Sequence, residues 1–173
     1  DGPGTITTLG DIESDTRGCL GDANVTLNGT GSQSVSQIGT DEARIPSITI
    51  DKASGTLTLS GTLYATDDWT YVKGTIDPGT SEIVYRAQAD GAATITGTHN
   101  LNDVIFAGSG QYTSQTYTIA SGTTLTATGD LTITTDADGN GLTLNGPGSV
   151  TTEGNFVTNH AAGGTGSITG TLS

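Results

Sequence analysis

The densest oxygen chemistry in the chain lies at Asp136-Ala-Asp138-Gly-Asn140-Gly141. Oxygen ligands at alternate positions followed by glycine are how a loop wraps Ca²⁺. Asp136, Asp138 and Asn140 are therefore the candidate metal ligands, and calcium is the one cofactor the sequence suggests. An EF-hand-like loop needs an acid at its twelfth position, where Pro147 stands, and Glu153 is off register. The competing reading is a polar turn, because Asp and Asn tolerate left-handed backbone and glycine closes it. A second group is Asp67, Asp68, Trp69 and Tyr71. Carboxylates beside exposed rings can hold a sugar, the ring stacking on the apolar face of a pyranose. The alternative is a Trp69 buried between turns of a chain that is poor in core residues. Thr-x-Thr triplets begin at Thr56, Thr94, Thr116, Thr124, Thr126 and Thr132. Such rows bind ice when they stack in one plane and are otherwise the outward halves of strands.

Acid–base chemistry is sparse. His99 and His160 have no nucleophile or carboxylate at a recognisable spacing, and no serine sits in a nucleophile-elbow context. Paired carboxylates for glycoside cleavage would have to be brought together by the fold. The expectation is that the chain is not an enzyme.

The elements that position these groups are short strands. Ser54–Thr66 and Ser121–Thr135 are near copies: a Gly turn launches a strand, a second Gly interrupts it, and another strand follows. Leu57 and Leu59 alternate with Thr56 and Thr58, and Leu131 and Ile133 with Thr132 and Thr134. Period two sends the apolar set to one face and the threonines to the other. Thr and Gly together exceed a third of the residues, hydrophobics are 32% and aromatics 5%. That composition suits strands, turns and a thin core of Leu, Ile, Val and Ala. No window carries a helical repeat. Val25-Thr-Leu-Asn-Gly returns at Leu142 and, degenerately, at Ile83, so the copies start 58 and 59 residues apart. The near copies at Ser54 and Ser121 start 67 residues apart (121 − 54), and that wider spacing implies an insertion near Gly108–Ala120. A repeat of tens of residues with frequent strands signals a solenoid. The chain is read as all-β, a parallel β-helix with a narrow aliphatic core. Asn28-Gly29, Asn140-Gly141 and Asn145-Gly146 are hairpin-type pairs that favour the alternative, an antiparallel β-sandwich or jelly roll.

Residues 1–23 form an acidic segment, an N-terminal arm, a cap or a strand that needs a partner, ahead of a single β-rich repeat domain over 24–173. The formal net charge of −13 over 173 residues argues against nucleic acid and anionic membrane surfaces as partners. No apolar run is long enough to insert in a membrane. Met is absent even at position 1, so Asp1 is not expected to be a translation start. Cys19 is the single cysteine, a small buried residue or an intermolecular bridge. Asn24-Val-Thr26 and Asn28-Gly-Thr30 are glycosylation sequons.

The string Ser54-Gly-Thr-Leu-Thr-Leu-Ser-Gly-Thr-Leu63, then Asp68-Trp69-Thr70, Gly74-Thr-Ile-Asp-Pro-Gly-Thr80 and Ile83-Val-Tyr85, resembles the repeats of secreted bacterial β-solenoid proteins. These are filamentous-haemagglutinin-like and autotransporter-like surface adhesins, and the likeness runs over residues 24–160. It implies a secreted, structural or adhesive role without catalytic residues. The expected function is a self-assembling subunit of a surface filament, layer or adhesin, its partners being copies of itself. Ile6, Leu9 and Ile12 would anchor one end, and Ile168 and Leu172 would present the opposite edge for β-strand addition. The alternative is a carbohydrate- or ice-binding β-solenoid module.

The calcium expectation has a direct test. A metal bound at Asp136, Asp138 and Asn140 would raise stability by about 2.7 kcal/mol at one hundred times Kd. The melting temperature of the parent should rise with calcium relative to chelator, and Asp138→Ala should abolish the difference. Equal melting temperatures for the parent in both conditions would leave only a turn.

Overall fold

In a computed structural model the chain is all-β, and its parallel strands stack as a β-solenoid. The structure describes residues 4–14, 23–38, 43–87, 91–108, 114–135, 141–160 and 166–172. The calcium candidates Asp136, Asp138 and Asn140 lie outside them, as does Cys19.

Each coil visits three faces. The first coil contributes β1 (Thr5–Thr8) and β2 (Ile12–Ser14), and the next β3 (Asn24–Leu27), β4 (Gln33–Gln37) and β5 (Ala43–Ile45). Then β6 (Ser47–Ser60) bends across two faces before β7 (Thr62–Ala65), as does β8 (Trp69–Asp77) before β9 (Glu82–Tyr85). There follow β10 (Ala92–Thr96), β11 (His99–Leu101) and β12 (Asp103–Ala107). Above them lie β13 (Ser114–Ile119), β14 (Thr124–Ala127) and β15 (Leu131–Thr135). The stack ends with β16 (Gly141–Thr152), β17 (Phe156–His160) and β18 (Gly166–Leu172). Faces one and two join into a 12-stranded sheet, because the long strands turn the corner without a break. Face three is a separate 6-stranded sheet, β17-β15-β12-β9-β7-β5.

Parallel registry places like residues in columns. Ile6, Val25, Ile48, Trp69, Ile95 and Ile119 form one inward column of face one. Thr7, Thr26, Thr49, Thr70 and Thr96 form the outward column beside it. The alternation expected from sequence holds: Leu57, Leu59, Leu131 and Ile133 are buried, while Thr132 and Thr134 are half-buried on the outer side. The two near copies are structurally equivalent, each running from face two around a corner to face three. Gly55 and Gly122 open them at φ +72° and +74°, a left-handed turn that a side chain would strain.

Other sequence expectations change. The 58- and 59-residue spacing is not the physical period, since Val25 and Leu142 lie on face one but Ile83 lies on face three. One coil takes from 19 residues (Thr5 opposite Asn24) to 27 (Thr116 opposite Thr143). The inferred insertion near Gly108–Ala120 disappears too, because β13 follows β10 at an ordinary offset of 24, Ala92 opposite Thr116. The hairpin alternative fails because the ladders among the described strands are parallel, and Asn28-Gly29 and Asn145-Gly146 turn corners between faces. Of the acidic N-terminal segment, Thr5–Thr8 and Ile12–Ser14 take strand form, with β1 on β3 and β2 on β4.

A narrow core makes each buried aliphatic count. Leu131→Ala should cost about 2–5 kcal/mol, whereas Thr132→Ala, facing outward, should stay near 0.5 kcal/mol. Denaturant titration of the two variants checks this. A larger loss at Thr132 would place the register off by one residue.

Candidate functional site

The sequence-marked aromatic group is split by the strand that carries it. Alternation along β8 sends Trp69 inward, where it has no exposed surface, so it cannot serve as a sugar-stacking platform. Asp67 and Asp68 instead build the corner before β8. The Asp67 carboxylate accepts a bond from the Asp68 amide (3.0 Å), and that of Asp68 from the Thr94 amide one coil on (2.7 Å). Tyr71 alone reaches a cavity. Its column, Leu27–Ile50–Tyr71, ends where Gly97 crosses above it. A Cβ on Gly97, at φ +89°, would collide with the Tyr71 carbonyl oxygen. Glycine there lets the next coil close down on Tyr71.

This is where the second face splits. β8 pairs with β10 only through Trp69–Ile95 and Thr70–Thr96, and past that point β11 bonds to β14 but not to β8. A cleft of about 320 Å³ opens at the break, lined by Tyr71, Gly74, Thr75, Ile76, His99 and Asn100. The Tyr71 hydroxyl donates to the Gly74 carbonyl (2.7 Å), which fixes the ring. His99 lies between two aromatics, 5.2 Å from Tyr71 and 6.3 Å from Trp69 by centroid. Its Nδ1 contacts the Gly97 carbonyl at 2.8 Å. A carbonyl only accepts, so Nδ1 carries the proton in the neutral ring and Nε2 presents a lone pair. That Nε2 is buried without a partner, as are Trp69 Nε1 and the Tyr85 hydroxyl in the same aromatic cluster. Sequence reasoning set His99 aside as isolated. Its alternation with Leu101 in β11 marks an inward histidine, but its neighbours come from another coil.

A second polar core group also escaped the sequence reading. Lys52 is 1% exposed, continuing the inward series Ile48, Ile50. Its ammonium donates to the Gly29 carbonyl (2.7 Å), the Gly31 carbonyl (3.0 Å) and Gln33 Oε1 (2.7 Å). Desolvation lowers its pKa. Gln33 Nε2 in turn donates to the Thr8 and Gly10 carbonyls of the first coil. All donors are used on main chain and amide, so the group fastens coils together rather than offering a nucleophile. Among the described residues, no three His, Cys, Asp or Glu side chains gather closely enough to hold a metal.

The threonine triplets spread over all three faces: Thr94 and Thr116 on face one, Thr56 and Thr124 on face two, Thr132 on face three. Several hydroxyls bond along the stack, as Thr49 to Asn24 and Thr151 to Thr126. The triplets therefore do not combine into the single plane that an ice-binding face requires.

Among the described residues, Ile6 of β1 is the first member of the face-one column. Ile6 is 57% exposed, against 9% for Val25, 1% for Ile48 and 0% for Trp69 in the same column, and Leu9 is 74% exposed. Ile12 packs half-buried against the core. At the opposite end Ile168 stands opposite Leu144 and Leu172 opposite Val150, both register positions of buried residues.

Burial pushes the His99 imidazole from 6.5 down to about 4, the Gly97 contact opposing the shift. The folded state thus resists a proton that the unfolded chain accepts. Stability is full above pH 6.5 and falls as pH drops toward 4, by up to roughly 3 kcal/mol. Urea titrations between these limits should show that slope in the parent and its reduction in His99→Phe. An unchanged slope in the variant would place the titration elsewhere.

No protein-family model matches the chain, and no curated protein or solved structure matches it, so its chemistry has to be read from its own surfaces.

Proposed function

We propose that the chain is an extracellular structural protein whose solenoid is extended by further copies stacked end to end, as in a surface filament, layer or adhesin. The exposure of Ile6 carries this reading. Ile6 occupies the core column of Val25, Ile48 and Trp69, and among the described residues no strand lies on its outer side. The occupant with matching geometry is the far end of a second copy. β1 and β18 are terminal strands of one sheet, both parallel to their inner neighbours, so β18 of one chain continues the ladder onto β1 of the next. Main-chain bonds would supply affinity and alternate side chains register. Charge does not oppose the pairing: Asp11 and Glu13 make the first coil acidic, while residues 154–173 contain no Asp or Glu to repel them. A head-to-tail contact that does not close gives a fibre. The net charge of −13 suits a hydrated, salt-rich exterior and keeps lateral association down.

Electron microscopy and light scattering on the full chain should reveal filaments or a length-distributed series of oligomers. Ile6→Asp combined with Leu9→Asp should return monomers with unchanged circular dichroism. Monodisperse monomer for the parent across salt, calcium and protein concentration would overturn the proposal. Filaments that persist in a chain lacking residues 1–13 would move the contact away from the first coil.

A further inference from the structure

We infer that the cleft between β8 and β11 is a binding site for a neutral saccharide, one or two pyranose units in size. The site lies in the middle of the stack, away from both end coils, and is independent of the assembly reading.

Its volume comes first. At about 320 Å³ the cleft stands at the small end of ligand pockets, which run from roughly 300 to 1,000 Å³. Its chemistry comes second. Tyr71 and Ile76 supply apolar surface for the C–H face of a sugar ring, and both are half-buried against the core, so they are already ordered. The exposed Asn100 side chain offers a donor and an acceptor at the rim. His99, 6% exposed, lines the cleft as backing for the Tyr71 ring, 5.2 Å away by centroid, while its Nε2 is itself buried. The Asn100 amide, which both donates and accepts, calls for hydroxyl partners, the group that sugars present in greatest number. The facing edges of β8 and β11 lack ladder bonds to each other, so main-chain polar groups also flank the opening.

Charge narrows the class. No Asp, Glu, Lys or Arg lines the cleft. An anionic sugar would find no cation in its wall and would enter against the field of a chain carrying −13. A cation would find no carboxylate. A neutral polyhydroxylated ligand meets every lining group with a complementary one, and an aromatic wall keeps the cost of ordering low.

Trp69 is the single tryptophan of the chain and stacks on His99, so its fluorescence reports on the cleft. The full chain should be titrated with neutral gluco-, galacto-, manno- and xylo-oligosaccharides, and with oligogalacturonate as the charged counterpart, by fluorescence and calorimetry. At least one neutral series should bind saturably, and oligogalacturonate more weakly. Asn100→Ala, on the exposed rim, should weaken binding about tenfold without moving the melting temperature. Tyr71→Ala, which removes the aromatic wall, should weaken binding further. Thr143→Ala, on the far part of face one, should leave affinity unchanged. No saturable binding by any neutral series at millimolar concentration would overturn the proposal. So would a preference for oligogalacturonate, or affinities indifferent to both cleft variants.

Discussion

The main-chain ladder that runs along the solenoid axis is the interaction on which the rest depends. Each inner coil is one strand thick, so its backbone groups find partners only in the coils before and after it. Successive strands lie about 4.8 Å apart, and that spacing stacks side chain directly upon side chain. The inward column from Val25 through Ile48 and Trp69 to Ile95 is therefore a row of nearest neighbours. Burial of this row, rather than a thick globular interior, supplies the hydrophobic stabilisation. The outward columns follow from the same spacing: Thr118 donates to Asn145, and Asp130 accepts from both nitrogens of Asn155. Stability in such a stack is close to a sum of coil and interface contributions.

Much of this was legible in local pattern and little of it in the long repeat. Leu57/Leu59 and Leu131/Ile133 reveal their faces because alternation is a property of one strand. Gly55 and Gly122 reveal equivalent corners because their backbone demands glycine. The period between coils was misread because corners absorb different numbers of residues, so Ile83 resembles Val25 in sequence but occupies another face. Asn-Gly pairs misled for a related reason: the turn chemistry of a hairpin also suits a solenoid corner. The candidate cleft was half visible. Tyr71 stood out beside two acids, yet strand alternation put Trp69 inside and Asp67 and Asp68 at a corner. His99 and Asn100 are far from Tyr71 in sequence and meet it only because coils stack.

Corners are where the ladder must be supplemented, and the lysine-filled corner shows how. When the chain turns from β3 into β4, the Gly29 and Gly31 carbonyls are left for a side chain to satisfy. An ammonium with three donors can serve those two and Gln33 Oε1 together. A buried cation without a carboxylate is costly unless its hydrogen bonds are complete, and here they are. Through Gln33 the same group reaches Thr8 and Gly10, so the coil of β1 and β2 is tied to the one after it. The exposed Ile6 thus stands on a fixed platform, the condition under which a stacking partner gains most from main-chain bonding.

The interruption between β8 and β11 has its own compensation. Where main-chain bonds stop, aromatic rings take over the contact between coils: His99 of one coil stacks on Tyr71 and Trp69 of the coil before it. The series continues through Tyr85 to Phe106 at 5.1 Å and on to Tyr117 at 5.4 Å, across the core and up the stack. Tyr117 closes it by donating to the Ala107 carbonyl while accepting from the Ala87 amide. Five tyrosines, one tryptophan and two phenylalanines are the aromatic supply of the whole chain. Five of these eight sit in this one run with His99. Large rings placed there hold together coils that the ladder does not, and they leave Trp69 Nε1, His99 Nε2 and the Tyr85 hydroxyl unpaired. A stack built only for continuity would place aliphatic residues and an unbroken ladder at this level, as it does along Leu63, Ile83, Val104 and Leu131 of face three. Those three buried atoms are a cost to stability that the ring contacts between the coils have to offset.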